Sequence, residues 1–247
     1  MVTGGLLRDK EAGVMKEFSL HSASTLYKSG RSELRRAEIA LTDQREKVAA
    51  LRRALPADTP IPLDYQFMEA TDAAPKNVLL SELFTPGQEA LVIIHYMWAL
   101  PDEHPCSMCT MWADGYNAIQ PHVSQHAPMV LVTKQTAERI RIFAASRGWR
   151  NLRTLSSSAG SFNRDFGMED RDGNQLPGIS VFLNSDPVPH HFYTGGAVMG
   201  DGHYRGIDLL TPVWNLLDLL PQGRGDWIPS LNYQSSKSKD DSDPGAN

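Results

Sequence analysis

The two cysteines of this 247-residue chain stand three apart, as Cys106-Ser107-Met108-Cys109, and their surroundings constrain the fold more than any other stretch. Upstream, the apolar run Leu91–Trp98 reads as a buried strand. A short polar connection leads to the cysteines, and a helical pattern, Thr110–Gln120, follows and closes at Pro121. Strand, loop, C-x-x-C and helix put the first thiol at a helix N-terminus, where backbone N–H groups and the helix dipole favour a thiolate. The second thiol lies one turn on, close enough to form a disulfide. Cys106 is therefore the candidate nucleophile and Cys109 the candidate resolving thiol.

The alternation continues on both sides. Val78–Phe84 reads as a short strand or turn, Met129–Thr133 as a strand, and Thr136–Arg147 as a helix capped by Thr136 and stopped by Gly148. Leu152–Leu155 is a strand, Ser161–Phe166 a short helix, Ile179–Asn184 and His190–Thr194 a strand pair, and Gly206–Leu220 a closing helix. The order β-α-β-α-β-α-β-β-α predicts parallel crossovers first, then a hairpin and a final helix.

Ahead of this domain, residues 31–55 read as one amphipathic helix. Ser32 is its candidate cap, and Leu34, Leu41, Val48 and Leu55 recur every seven residues before Pro56. Such a stripe suits the chain's own core or the same helix of a second copy, so a homodimer through residues 31–55 is one expectation. Residues 1–30 read as irregular. Residues 56–76, rich in proline, read as a linker holding one short strand, Leu63–Met68. The polar tail from Ser235 predicts disorder. The predicted division is an extension over residues 1–56, a folded domain over 57–232 and a tail over 233–247.

The formal net charge of −5 gives no reason to expect nucleic acid or an anionic membrane as a partner. The apolar runs fall short of a membrane span, and Met1–Leu20 lacks the pattern of a signal peptide, so a cytoplasmic location is expected. There a cysteine pair is more often reduced and catalytic than a permanent staple. With no G-x-x-x-x-G-K-[ST] motif, a nucleotide site is rejected; no cofactor and no metal ligand set are expected on this reading.

Several neighbours bear on the thiols. His104, two residues before Cys106, lowers a nearby thiol's pKa if its imidazolium approaches, whereas Asp102 and Glu103 act the other way. Trp98 and Trp112 flank the pair and suit either core packing or the wall of a substrate groove. His95, on the buried strand, reads as a core histidine, with metal ligation as the minority view. Asp114-Gly115 in mid-helix predicts a kink or a close helix–sheet contact. His190-His191 reads as an incidental surface pair.

With the dithiol at the first crossover helix, this order resembles the thioredoxin fold. The fold class expected is thus α/β: a three-layer α/β/α domain with a mixed central sheet and an N-terminal helical extension. That resemblance implies that Pro177, just before the apolar strand of Leu176-Pro177-Gly178-Ile179-Ser180-Val181-Phe182, follows a cis bond, faces the thiols and borders the substrate. More narrowly, CSMCTMWADGYN (106–117), SSSAGSFNRDFGM (156–168), PGISVFL (177–183) and YRGIDLLTPVWNLLDLLPQGR (204–224) resemble a bacterial thioredoxin-like family catalogued as domain of unknown function 899, over about residues 30–228. The chain departs from thioredoxins proper. Pro105, not Trp, precedes the first cysteine, Ser107-Met108 replaces Gly-Pro, and Glu103 stands where peroxiredoxins carry a threonine three residues before the cysteine.

Three functions are compatible with these residues. The first is a thiol–disulfide oxidoreductase acting on a small disulfide, a peroxide or a protein disulfide. The second is a Cu(I)- or Zn(II)-handling module using Cys106, Cys109 and His95 or His104. The third is a non-catalytic binding protein with inert thiols.

Overall fold

Strand β3 (Ala90–His95) organises the domain because its residues alternate between two buried clusters. Leu91 and Ile93 enter one, and Ile94 and the following Tyr96 enter the other. The structure is a computed structural model describing residues 22–71, 73–200, 205–207 and 210–233. The chain divides into two compact units, Met1–Leu55 and Pro56–Asn247.

In the second unit, β1 (Gln66–Glu69) and β2 (Lys76–Leu79) form an antiparallel hairpin, followed by a 3-10 turn at Leu80–Leu83. β3 pairs in parallel with β4 (Met129–Thr133), and β4 in parallel with β5 (Arg153–Ser156). On its other side β3 pairs antiparallel with β6 (Gly178–Leu183), which continues to β7 (His190–Gly196). The seven-stranded order is β2-β1-β5-β4-β3-β6-β7. The parallel crossovers through β3, β4 and β5 precede the β6–β7 hairpin, as the sequence predicts; the β1–β2 hairpin ahead of them is not predicted. The central strands β4-β3-β6-β7, with a crossover helix between β3 and β4, make the domain thioredoxin-like.

Helices cover both faces. In the cluster with Tyr96 lie residues of α2 (Ser107–Val123), α3 (Ala137–Arg147) and α5 (Pro212–Leu217). The other face holds Phe162 of α4 (Phe162–Asp165) with Leu80 and Leu83 of the 3-10 turn. Helix α3 begins and ends as expected: the Thr136 hydroxyl accepts from the Arg139 N–H at 3.3 Å, and Gly148 takes a left-handed φ of 72°.

Four local expectations are corrected. The first unit's helix α1 spans Thr25–Arg53, longer than residues 31–55; Ser24, not Ser32, caps it by accepting from the Tyr27 N–H at 3.2 Å. None of its residues is buried. Helix α2 runs through Pro121, because the Asn117 carbonyl that loses its helical donor there accepts from Asn151 Nδ2 at 3.0 Å. The closing helix is shorter than Gly206–Leu220, since Pro212 starts it. The cis bonds among the described residues are Leu100–Pro101 and Asp186–Pro187, so the expected cis bond at Pro177 is not present. Pro177 immediately precedes β6, and its carbonyl accepts from the Ala197 N–H at 3.0 Å, extending the β6–β7 ladder.

The expectations for residues 1–21 and for the tail from Ser235 fall outside the described residues. Among those described, no helix is long and apolar enough to cross a membrane.

Candidate dithiol site

The connection from β3 to the first thiol is bound at many points. Trp98 O accepts from the Thr133 hydroxyl at 2.7 Å. Gln135, fully buried, donates to Ala99 O and Asp102 O. Arg139 of α3 donates to Asp102 O at 3.2 Å and Glu103 O at 2.9 Å, and its guanidinium lies 5.1 Å from the Trp98 ring. Asp102 O also accepts from Trp98 Nε1 at 3.1 Å. The loop ends where the Cys106 N–H donates to Met97 O at 3.1 Å, tying the thiol back to the strand.

Cys106 is the N-cap of α2. Its Sγ accepts from the Cys109 N–H at 3.3 Å, as a capping side chain does. Thr110 donates its hydroxyl to Cys106 O at 2.8 Å and therefore accepts from the Tyr96 hydroxyl at 2.7 Å. Both cysteines are free thiols; Cys106 is half-buried and Cys109 buried.

These contacts divide the charge unequally. The Cys109 thiol hydrogen-bonds to Cys106 and, with the N–H groups of Cys109 and Met108, brings the Cys106 thiol down to about 6 against the opposing effect of burial. Cys109 is held well above the ordinary thiol range, because it gives its hydrogen to Cys106, is buried, and faces the neighbouring negative charge. The pair has one sulfur ready to ionise and one that keeps its proton. Burial raises the nearby Tyr96 and Tyr116 phenols as well.

The structure gathers some of the expected residues and separates others. Trp98 and His104 line a groove of about 370 Å³ with Arg139, Ile142 and Phe143; its wall includes Pro105, the residue before Cys106, but neither cysteine. His104 is exposed, and the forces that lower the Cys106 thiol come from the capping turn. Trp112 is not in this groove; it packs edge-on against Trp214 with ring centroids 6.3 Å apart. Pro177 is half-buried at the start of β6.

His95 turns to the opposite face of the sheet from Tyr96. Its Nε2 pairs with Ser180 Oγ at 2.8 Å, its ring stacks on Phe162 at 5.5 Å, and burial pushes its pKa down to about 3. No group of three or more His, Cys, Asp or Glu side chains able to hold a metal ion occurs among the described residues. His191 is no incidental surface residue: it is half-buried, stacks on Phe166 at 5.3 Å and bonds Thr194 at 2.8 Å.

Sequence reasoning missed Arg139, Gln135, Thr110 and Tyr96. Thr110 was within reach, since a threonine four residues after a cap commonly bonds back to the cap's carbonyl. Arg139 and Gln135 act across more than 30 residues of chain, and their partners are backbone carbonyls, which carry no residue identity to read.

Strand order and a dithiol capping the first crossover helix define a protein of the thioredoxin-like class. The chain belongs to the family described as bacterial protein of unknown function (DUF899), which matches residues 15–241. No functionally curated protein matches it in sequence. Among solved structures, it is similar to reduced Prx3 of Vibrio vulnificus in complex with H2O2, at 12% identity and a TM-score of 0.46, over 63% of this chain and 97% of that one. AhpC of Enterococcus faecalis gives 12% and 0.46 over 69% and 96%. A mutant PrxQ of Xylella fastidiosa gives 17% and 0.43 over 62% and 91%. These are likenesses of chain path, not of chemistry.

Proposed function

We propose that this protein is a thiol–disulfide oxidoreductase with Cys106 as nucleophile and Cys109 as resolving thiol. The supporting observation is the capping turn, in which Cys106 Sγ receives the Cys109 N–H and the Cys109 thiol hydrogen while Cys109 stays protonated. The Cys106 thiolate attacks one sulfur of a substrate disulfide, forming a mixed disulfide and expelling the other sulfur as a thiolate that takes up a proton. With the charge on Cys106 gone, one obstacle to ionising Cys109 is removed. Its thiolate then attacks Cys106 Sγ, closing the Cys106–Cys109 disulfide and releasing the second substrate thiol. The substrate gains two electrons and the dithiol loses them; a thiol reductant returns the pair to its starting state. The groove walled by Trp98, Ile142 and Phe143 is the proposed seat for an arm of the substrate, with His104 at its rim. A reducing compartment such as the cytoplasm suits free thiols of this kind.

The test is trapping. Cys109→Ser should accumulate a mixed disulfide on Cys106 when treated with a small disulfide, and Cys106→Ser should form none. If neither cysteine of the wild-type protein exchanges with disulfides near neutral pH, the reading is wrong.

A further inference from the structure

Gly115 sits inside α2, where glycine is the least favourable residue after proline, and nothing about packing demands it. A methyl group built on it meets no atom within 4 Å outside its chain neighbours and the helix's own backbone. The expected close helix–sheet contact is therefore not its reason. Gly115 instead faces a cavity of about 570 Å³, within the size range of small-molecule sites. Met111 forms the same wall, Val213 of α5 a second, and Trp227 and Ile228 a third. Trp227 and Ile228 are large apolar side chains left 48% and 67% exposed there.

The polar groups at this cavity are already matched to one another. Arg147 and Asp114 form a two-point ion pair through Nε to Oδ1 at 3.2 Å and Nη2 to Oδ2. Trp149 Nε1 donates to the same carboxylate at 2.7 Å. Arg147 Nη1 donates to Leu231 O at 2.7 Å, so this one guanidinium ties α2, the end of α3 and the C-terminal segment together around the space. The two charges cancel, and a charged ligand would have to break these bonds to find a partner.

We propose that this cavity is a binding site for a neutral, largely apolar small molecule, held by Met111, Val213, Trp227 and Ile228, and that Gly115 keeps it open. The site is separate from the groove lined by Trp98 and His104, which shares none of its lining residues. Its test is a fluorescence titration of the full chain with the neutral probe N-phenylnaphthylamine. One probe should bind saturably per chain, and anionic anilinonaphthalene sulfonate should bind at least tenfold more weakly. Gly115→Leu and, from the opposite wall, Val213→Phe should each weaken the neutral probe at least tenfold, with circular dichroism and Cys106 alkylation unchanged. Gly115→Ala, which adds one methyl group, should raise the melting temperature and weaken binding less than threefold. Three outcomes overturn the proposal: no saturable binding, folded Gly115→Leu and Val213→Phe proteins that bind as wild type does, or a wild-type dimer that Gly115→Leu converts to monomer, which would give the cavity to a second copy.

Discussion

His95 and Tyr96 are adjacent in sequence, yet they point to opposite faces of the central sheet, and the two faces treat ionisable groups in opposite ways. On the Tyr96 face, Cys106 is half-buried and its charged form is favoured, because the first turn of α2 brings hydrogen-bond donors to the sulfur. On the His95 face, the imidazole is 2% exposed, Ser180 is its one polar partner among the described residues, Nδ1 has none there, and the neutral form is enforced. Burial penalises charge on both faces. What differs is the supply of donors: a helix N-terminus provides unpaired N–H groups to whatever caps it, whereas a strand interior has already spent its own on the ladder.

The largest expected effect breaks the pair of faces apart. Cys106→Ser should lower the rate of disulfide exchange at least a hundredfold, as loss of a nucleophile does. His95→Gln should leave that rate within about threefold, since nothing on its face touches the thiols. Stopped-flow measurement with a small aromatic disulfide decides it. A comparable loss in His95→Gln would mean the two faces work as one site.

Next in size is the response to acid. The unfolded chain protonates His95 near 6.5, while the folded chain resists until about 3. Between those values the unfolded state holds more protons, so stability falls as pH falls, by roughly 1.4 kcal/mol for each pH unit from this group. Cys106 acts in a higher window: its folded thiol ionises near 6, below an unfolded thiol, so its contribution is complete above about 8.5 and is lost as pH falls through 6. Urea unfolding of reduced protein across pH 4 to 9 should show both slopes. His95→Gln should flatten only the acid one.

How much of this was legible beforehand differs between the faces. The dithiol was readable because its determinants are local: Cys106, Cys109 and the helix start lie within one turn. The opposite face was not. His95 was visible as a core histidine, but its partner Ser180 lies 85 residues away, and the chain of hydroxyls that continues to Thr194 and His191 runs across three strands. Pair register decides such contacts, and register is not written in any one strand. Pro177 shows the reverse error. Family likeness supplied a cis bond, but the β6–β7 ladder takes that proline's carbonyl in an ordinary strand start. Pro121 was misread for the same reason as the His95 face, because the rescue of Asn117 O by Asn151 depends on a side chain more than 30 residues away.

A smaller effect sharpens the electrostatic contrast. Cys109→Ala removes the thiol hydrogen that Cys106 receives but leaves the backbone N–H groups of the capping turn. The pH midpoint for alkylation of Cys106 should then rise from about 6 toward the ordinary thiol value of about 8.5 without reaching it. Alkylation by iodoacetamide, followed by mass spectrometry across pH, measures the shift. An unchanged midpoint would show that the backbone alone sets the charge on Cys106.

The smallest effects come from removing one hydroxyl on each face. Ser180→Ala leaves His95 Nε2 without its partner, and Thr110→Val leaves the Tyr96 hydroxyl without its partner and Cys106 O with the residue-110 N–H alone. Each change strands a buried polar group and should cost about 1–3 kcal/mol in urea unfolding. Their effect on the thiol should differ. The Thr110 hydroxyl is a second donor to the carbonyl of the capping residue, beside the backbone N–H, so its loss should slow Cys106 alkylation severalfold, while Ser180→Ala should leave the rate within about twofold. Equal destabilisation with unequal reactivity is what two separately wired faces require. Equal changes in both measurements would mean instead that thiol reactivity follows the stability of the whole domain rather than the geometry of the capping turn.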